Sequence, residues 1–271
     1  MTSHALLIGA GDLGSDVGIR LAALGHEVTA VRRRGDLVAS PMHGISADLT
    51  VTGPDLTGLD VDLLVVALTA RPRTEESYRA TYVDGLIRAL DALTAAGQTP
   101  RRAVLVSSTG VYGDAAPDPV LDEASPAEPA DAPARVLLEA EQAFAERLPH
   151  GTVLRLSGLY RGETGRLVTQ VREGTFDDPH RWTNRIHRDD AAAAVVHLLT
   201  RDEAPEALYV GTDDEPSLLG DVAAHVANQL GLPAPEAAAP ARGHGKRLSN
   251  ARLRASGWRP AYPTYREGYV V

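Results

Sequence analysis

A short apolar run, Leu6-Leu7-Ile8, stops at Gly9, and Gly9-Ala10-Gly11-Asp12-Leu13-Gly14 then spells G-x-G-x-x-G before a helical pattern. In a strand–turn–helix unit of this kind the first glycine permits a tight turn and the second lets the backbone approach a pyrophosphate. The third lets helix and strand pack closely. The phosphates rest on the free N–H groups at the positive end of the helix. A glycine-rich turn by itself is an ordinary strand-to-helix connection, so its surroundings decide. Apolar residues recur at Val17, Leu21 and Leu24, one helical face, and Gly25 follows as a stop. Val28-Thr29-Ala30-Val31 predicts a second strand. This context favours a dinucleotide site.

The second strand runs into Arg32-Arg33-Arg34. An acid usually stands about 20 residues past the glycines, where it binds the ribose 2′-OH of NAD. Guanidinium groups there suit a 2′-phosphate, so the expected cofactor is NADP, with NADPH preferred over NADH. The alternative is a solvated basic turn.

With 271 residues, 44% of them hydrophobic, the chain can build one large core, or a core with a smaller lobe. A net charge of −9 with scattered arginines argues against a nucleic-acid surface. There is no cysteine, which excludes disulfides and thiolate chemistry. The first apolar run is broken by Gly9 and Asp12, so neither a secretory signal nor a membrane span is expected, and the expected location is cytoplasmic.

Further along, Ile45 to Leu49 predicts a short third strand, Val61 to Leu68 a strand buried on both faces, and Thr74 to Ala96 a long helix. Ala103 to Val106 predicts the next central strand, followed by Ser107-Ser108-Thr109-Gly110-Val111-Tyr112-Gly113 and a long Pro/Asp/Ala loop to Pro133. Ala134 to Leu148 reads as an amphipathic helix and Thr152 to Leu156 as a buried strand. Past Tyr160 the alternation loosens, with one short helix expected before Arg185. Asp189-Asp190 is expected to cap a helix over Ala191 to Leu199, with a strand at Ala207 to Val210 and a helix at Pro216 to Leu230. Ala234 to Gly245 reads as a mobile loop and Lys246 to Ser256 as a short basic helix. Strands alternating with helices predict an α/β, Rossmann-type doubly wound parallel sheet with a smaller C-terminal substrate lobe. The expected division is residues 1–157 plus 186–214 for the nucleotide domain, and 158–185 plus 215–271 for the lobe. Ligands in such sheets sit at the carboxyl ends of the strands. Cofactor contacts are therefore expected from Gly9, Gly11, Asp12, Leu13, Gly14, Arg32, Arg33, Asp48, Leu49, Ala67 and Ser107.

With GAGDLG, SSTGVYG, LRLSGLY, RIHRDDAAAAV and the tail GKRLSNARLRASGWRPAYPTYREG in this order, the chain resembles the extended short-chain dehydrogenase/reductases, the NAD(P)-dependent epimerase/dehydratase family. The GxGxxG spacing is similar to that of its atypical, YeeZ-like subgroup. The resemblance implies a catalytic serine at Ser108, substrates that are nucleotide sugars or small carbonyl compounds, and a homodimer through the helices Thr74 to Ala96 and Ala134 to Leu148. It also implies a Tyr-x-x-x-Lys pair, and here the chain departs. Aligning Glu141 with the family's helix glutamate puts Pro133 and Leu137 at those positions. Lys246 is the only lysine, and Arg242 stands four residues before it, so the pair exists nowhere. Tyr82 also stands where the family has asparagine.

The remaining catalytic candidates are Ser108, Tyr112 and Thr109. Ser108 could instead satisfy a nearby backbone group. Tyr112, with an ordinary pKa near 10, would donate a proton unless a cation sits close; its alternative is an aromatic wall. Arg135 and Glu139 read as an i,i+4 pair on a solvated face, and His187 as a structural histidine beside a helix start. No metal-ligand spacing is seen. The leading expectation is an NADP-dependent oxidoreductase or epimerase/dehydratase-type enzyme acting on a small carbonyl, alcohol or sugar-like molecule. The alternatives are a non-catalytic NADP-binding redox sensor and a redox-neutral isomerase or cyclase reusing the pocket.

Overall fold

In the computed structural model, residues 3–113, 120–162, 164–233 and 243–270 are described. The chain opens with β1 (His4–Ile8), α1 (Asp12–Ala23), β2 (Glu27–Arg32), β3 (His43–Ser46) and β4 (Leu63–Val66). A long helical stretch follows as α2 (Glu75–Tyr78), a π turn (Arg79–Asp84) and α3 (Gly85–Ala95). Next come β5 (Arg102–Ser108), a 3-10 turn (Thr109–Tyr112), β6 (Val120–Leu121), α4 (Ala132–Arg147) and β7 (Thr152–Leu156). Then follow β8 (Gly158–Tyr160), α5 (Arg166–Glu173), β9 (Trp182–Thr183), β10 (Arg185–His187), α6 (Arg188–Thr200) and β11 (Leu208–Gly211). The chain closes with β12 (Ser217–Leu218), α7 (Leu219–Gln229), β13 (Arg247–Leu248), α8 (Ala251–Ala255) and α9 (Tyr265–Gly268).

Seven strands form the central parallel sheet in the order β11-β7-β5-β4-β1-β2-β3. The order reverses at β1, with β2 and β3 on one side and β4 and β5 on the other. A crevice for a ligand opens outside the carboxyl ends of the strands at such a switch point. The register is consistent with this: Ile8 pairs with both Val31 and Val66, so Gly9, Arg32 and Ala67 leave the sheet at one level. All four residues of β4 and the last four of β1 are buried, which is why both read as unbroken apolar runs.

The chain divides into two compact units. One comprises Met1–Gly113, Ala127–Arg155 and Ala192–Tyr209; the other comprises Asp114–Pro126, Leu156–Ala191 and Val210–Val271. The N-terminal unit is built around Leu6, Ile8, Leu64, Val66, Leu86 and Phe144, each at most 1% exposed. The C-terminal unit has its own smaller core of Val168, Val222, Val226, Tyr160, Tyr265 and Tyr269.

Several boundaries differ from the sequence expectation. The third strand is His43–Ser46, which leaves Asp48 and Leu49 in the loop beyond it. Thr74 caps the long helix by accepting from Ser77 N, but the helix widens to a π turn over Arg79–Asp84. Helix α6 starts at Arg188, so Asp189 and Asp190 lie in its first turn rather than capping it. The Asp190 carboxylate accepts instead from Ala261 N at 2.7 Å and Tyr262 N at 2.9 Å. Lys246 to Ser256 is not one helix. Arg247 and Leu248 pair as a strand with Val120 and Leu121, and Leu248 N donates to Asn184 Oδ1 at 2.8 Å; only Ala251–Ala255 is helical. Residues 234–242 of the expected mobile loop lie outside the described residues.

Candidate nucleotide site

In the N-terminal unit, the carboxyl ends of β1, β2 and β4 border a cavity of about 730 Å3. Gly9 and Gly11 form its floor, and Arg32, Arg33 and Arg34 stand at one side with Asp48, Leu49 and Thr50. Ala67 to Thr69, Arg71, Ala80 and Thr81 close the other side.

Each glycine has a distinct reason. Gly9 has φ +98, and a Cβ there would lie 2.5 Å from Ala67 O. At Gly14 a Cβ would lie 2.2 Å from Gly9 O, so this glycine is what lets α1 approach the turn. A Cβ at Gly11 meets nothing within 4 Å, because that position opens onto the cavity. Gly11 is also the N-cap of α1, and as a glycine it offers no side chain to cap the helix. Open space over a glycine at an uncapped helix start is where a phosphate fits.

The charge around this cavity is unequal. Among the described residues, four arginines line it against one acid, Asp48. Thr50 occupies that acid, with Oγ1 at 2.7 Å and N at 3.0 Å from Asp48 Oδ1. The Thr50 hydrogen bonds, helped by Arg33, hold the Asp48 carboxyl below its ordinary value. Arg32 Nη1 donates to Leu37 O at 3.2 Å, which steadies its side chain, while Arg33 and Arg34 are exposed.

Of the residues expected to touch a cofactor, Gly9, Gly11, Arg32, Arg33, Asp48, Leu49 and Ala67 converge here. Asp12, Leu13, Gly14 and Ser107 are not among the lining. Asp12 and Leu13 begin α1, and Gly14 serves close packing. Ser107 is 8% exposed, and its Oγ donates to Glu141 Oε1 at 2.5 Å. Thr69 lines it too, from the Ala67 to Ala70 strand end expected on the ligand edge, while Arg71, Thr81 and Ala80 line the cavity without any motif having marked them. Ala80 and Thr81 sit in the π turn, a widening of the kind found at functional sites. Tyr82, one residue on, accepts from Ala70 N at 3.4 Å, and burial pushes its phenol above the ordinary value.

Of the three catalytic candidates, Ser108 ends β5, and Thr109 and Tyr112 lie in the 3-10 turn that follows. Ser108 is half-buried, and its Oγ accepts from Gly110 N at 3.1 Å, capping the 3-10 turn. That leaves its hydroxyl proton available to a ligand oxygen. Thr109 and Tyr112 are 6% and 3% exposed. The Arg155 guanidinium lies over the Tyr112 ring at 4.8 Å, so a cation does sit close to this phenol. Glu139 does not pair with Arg135 as expected: it forms a bidentate bond with Arg79, both contacts at 2.7 Å. In the C-terminal unit, His187 is 8% exposed and lies 3.9 Å from the Tyr262 ring; its burial lowers its pKa.

Comparison with known proteins agrees with this fold. Residues 5–148 match the NAD dependent epimerase/dehydratase family. A solved structure of a candidate NAD-dependent epimerase/dehydratase from Methylobacillus flagellatus is 34% identical, with a TM-score of 0.83; the match covers 99% of this chain and 96% of that one. UDP-glucuronic acid 4-epimerase from Bacillus cereus, solved with UDP-glucuronic acid and NAD, is 16% identical with a TM-score of 0.79 over 98% and 96% of the chains. dTDP-glucose 4,6-dehydratase from Bacillus anthracis, solved with NAD, is 17% identical with a TM-score of 0.76 over 99% and 94%. No protein of curated function matches. The chain belongs to the NAD-dependent epimerase/dehydratase family.

Proposed function

We propose that the chain is an NADP-dependent oxidoreductase, or an epimerase/dehydratase-type enzyme, acting on a small carbonyl, alcohol or sugar-like molecule. The observation that carries the cofactor choice is the set of four arginines around the cavity, opposed by one acid that Thr50 already engages. Guanidinium groups match a phosphate in charge and in fork geometry. The uncapped start of α1 and the opening over Gly11 suit the pyrophosphate. When bound, the cofactor supplies hydride exchange with a carbon. Ser108 then orients the substrate oxygen through its free proton, and the hydrogen bond from Gly110 holds that hydroxyl in place. The same reading expects a homodimer, checked by light scattering, and a cytoplasmic location.

Calorimetric titration with NADPH, NADP⁺ and NADH tests the cofactor reading. Micromolar binding of the phosphorylated pair with weaker NADH supports it, and equal affinities overturn it.

A second reading is an NADP-binding redox sensor without turnover. It is favoured by Pro133 and Leu137 at the positions of the family's pair and by the burial of Tyr112. Hydride turnover on a carbonyl panel that falls in Ser108→Ala would decide for the enzyme. Tight cofactor binding with no turnover on that panel would decide for the sensor.

A further inference from the structure

The cavity of the N-terminal unit carries cations on two opposite rims. β2 and β4 both neighbour β1 in the sheet, so their carboxyl ends stand about 10 Å apart. Arg32, Arg33 and Arg34 reach the cavity from the β2 end, and Arg71 reaches it from the loop after β4. Ser107 and Ser108, at the end of β5, are not part of the lining. For a dinucleotide, this is therefore the adenosine end of the crevice and not the end of the reacting ring. Arg71 is exposed and makes no hydrogen bond or ion pair among the described residues.

The loop that carries Arg71 is held on both sides of it. Ala70 is 4% exposed, and its N–H donates to Tyr82 Oη at 3.4 Å. Arg73 Nε donates to Tyr78 Oη at 3.2 Å, and Thr74 then caps α2. The two tyrosines pack against each other with ring centroids 5.0 Å apart. Tyr78 ends α2 and Tyr82 lies in the π turn, so the widened helix and the arginine loop form one assembly. A guanidinium without a protein partner, carried on a loop fixed at both flanks, is pre-organised for a ligand.

A phosphorylated dinucleotide offers this cavity two kinds of anion. The pyrophosphate is met by the start of α1 and the opening over Gly11. The ribose 2′-phosphate belongs at the β2 end and presents three acceptor oxygens. Arginines on one rim leave part of that group facing the other rim, where Arg71 is the only basic residue of the lining among the described residues. A guanidinium fork there can complete the grip. We propose that Arg71 is a specificity-determining residue for the 2′-phosphate, binding it from the rim opposite Arg32 to Arg34, and that Tyr82, acting through Ala70, positions it. The proposal rests on the NADP reading above and deepens it.

Adenosine 2′,5′-bisphosphate and 5′-AMP differ by that one phosphate, and both are titrated calorimetrically into the full chain at constant ionic strength. The unmodified chain should bind the bisphosphate at least tenfold more tightly. Arg71→Gln should weaken the bisphosphate about tenfold, the loss of a hydrogen bond to a charged group, and leave AMP nearly unchanged. Tyr82→Phe should weaken the bisphosphate about threefold, and should add nothing in an Arg71→Gln background, since the two residues act as one unit. Equal affinities in the unmodified chain would overturn the NADP reading and this proposal with it. A bisphosphate preference preserved in Arg71→Gln would overturn the proposal and leave that reading standing. An equal loss of both nucleotides would move Arg71 to the 5′-phosphate or the base and overturn it as well. A Tyr82→Phe loss that persists in the Arg71→Gln background would overturn the positioning role. If Tyr82→Phe does not fold, Arg71→Gln, a change at an exposed side chain, decides the proposal.

Discussion

Arg155 and Glu141 form an ion pair buried inside the N-terminal unit, with Nη2 2.7 Å from Oε2 and Nε 3.1 Å from both carboxylate oxygens. Both side chains are 7% exposed. Ser107 donates to the same carboxylate, and Tyr112 lies against the same guanidinium, so four residues from three elements and one turn are tied at the end of β5. Removing one partner strands the other charge. Glu141→Gln is expected to cost about 3–5 kcal/mol, read by urea denaturation. The double variant Glu141→Leu/Arg155→Met should cost clearly less than the two single changes added together. Additive losses would show that the pair is not coupled.

The cofactor cavity makes a directional prediction. Arg32→Asp should weaken NADPH binding by tenfold or more, reversing or erasing the preference over NADH, while thermal unfolding stays within a degree or two of the unmodified chain. The affinity ratio from calorimetry is the deciding quantity.

Two glycines three residues apart should respond in opposite ways. Gly14→Ala drives a methyl to 2.2 Å from Gly9 O, so it should destabilise the fold by more than 2 kcal/mol, an overpacking cost. Gly11→Ala meets no protein atom within 4 Å and has φ −76, which alanine adopts freely, so the fold should keep its stability. Its methyl projects into the cavity and should weaken nucleotide binding at least tenfold. Full nucleotide affinity in Gly11→Ala would move the pyrophosphate elsewhere.

Burial pushes the Asp213 carboxyl up to about 7, against the opposing pull of Arg185. A carboxyl whose pKa is raised by folding contributes stability that is present below its unfolded value near 4 and is lost as pH rises through 7. Between pH 5 and 7 the unmodified chain should therefore lose stability relative to Asp213→Asn, by roughly 1 kcal/mol per pH unit at most. Denaturant midpoints across that range give the difference directly. Parallel pH profiles for the two proteins would refute the assignment.

The exposed Arg79–Glu139 pair is the counterexample. Its two 2.7 Å contacts are as short as the shortest of the buried pair, but both side chains are more than 40% exposed. Water and salt screen it, and Glu139→Gln should leave the denaturation midpoint within experimental error.

What the sequence disclosed follows the range of the forces involved. The switch strand, the glycine turn and the arginine run are local patterns, and β1, α1 and β2 fall where those patterns put them. Lys246 to Ser256 carries a good helical composition, yet its first part is claimed by a strand more than 120 residues earlier. Nothing within the segment could announce that. Glu141 and Arg155 lie on a helix and a strand, and no spacing rule links such a pair. Asp213 reads as one acid of a polar turn, Thr212-Asp213-Asp214-Glu215, and only the packing of Arg185, Pro263 and Asn250 around it reveals that it is buried. Arg71 and Thr81 show the same limit at the nucleotide cavity, since convergence of loops is not written in any one loop.

Neither compact unit is a continuous piece of chain: each draws on three segments, and the N-terminal one needs Ala192–Tyr209 to be whole. A ribosome that has released Arg155 therefore holds an N-terminal unit still missing most of α6 and the start of β11. The last part of that unit arrives only after the whole intervening segment Leu156–Ala191 of the other unit has been made. Truncation after the family-matched residues 5–148 would leave out β7 as well. Synthesis therefore imposes an order of maturation on this chain: the residues lining the cavity are made first, and the unit that carries them is completed only with Ala192–Tyr209.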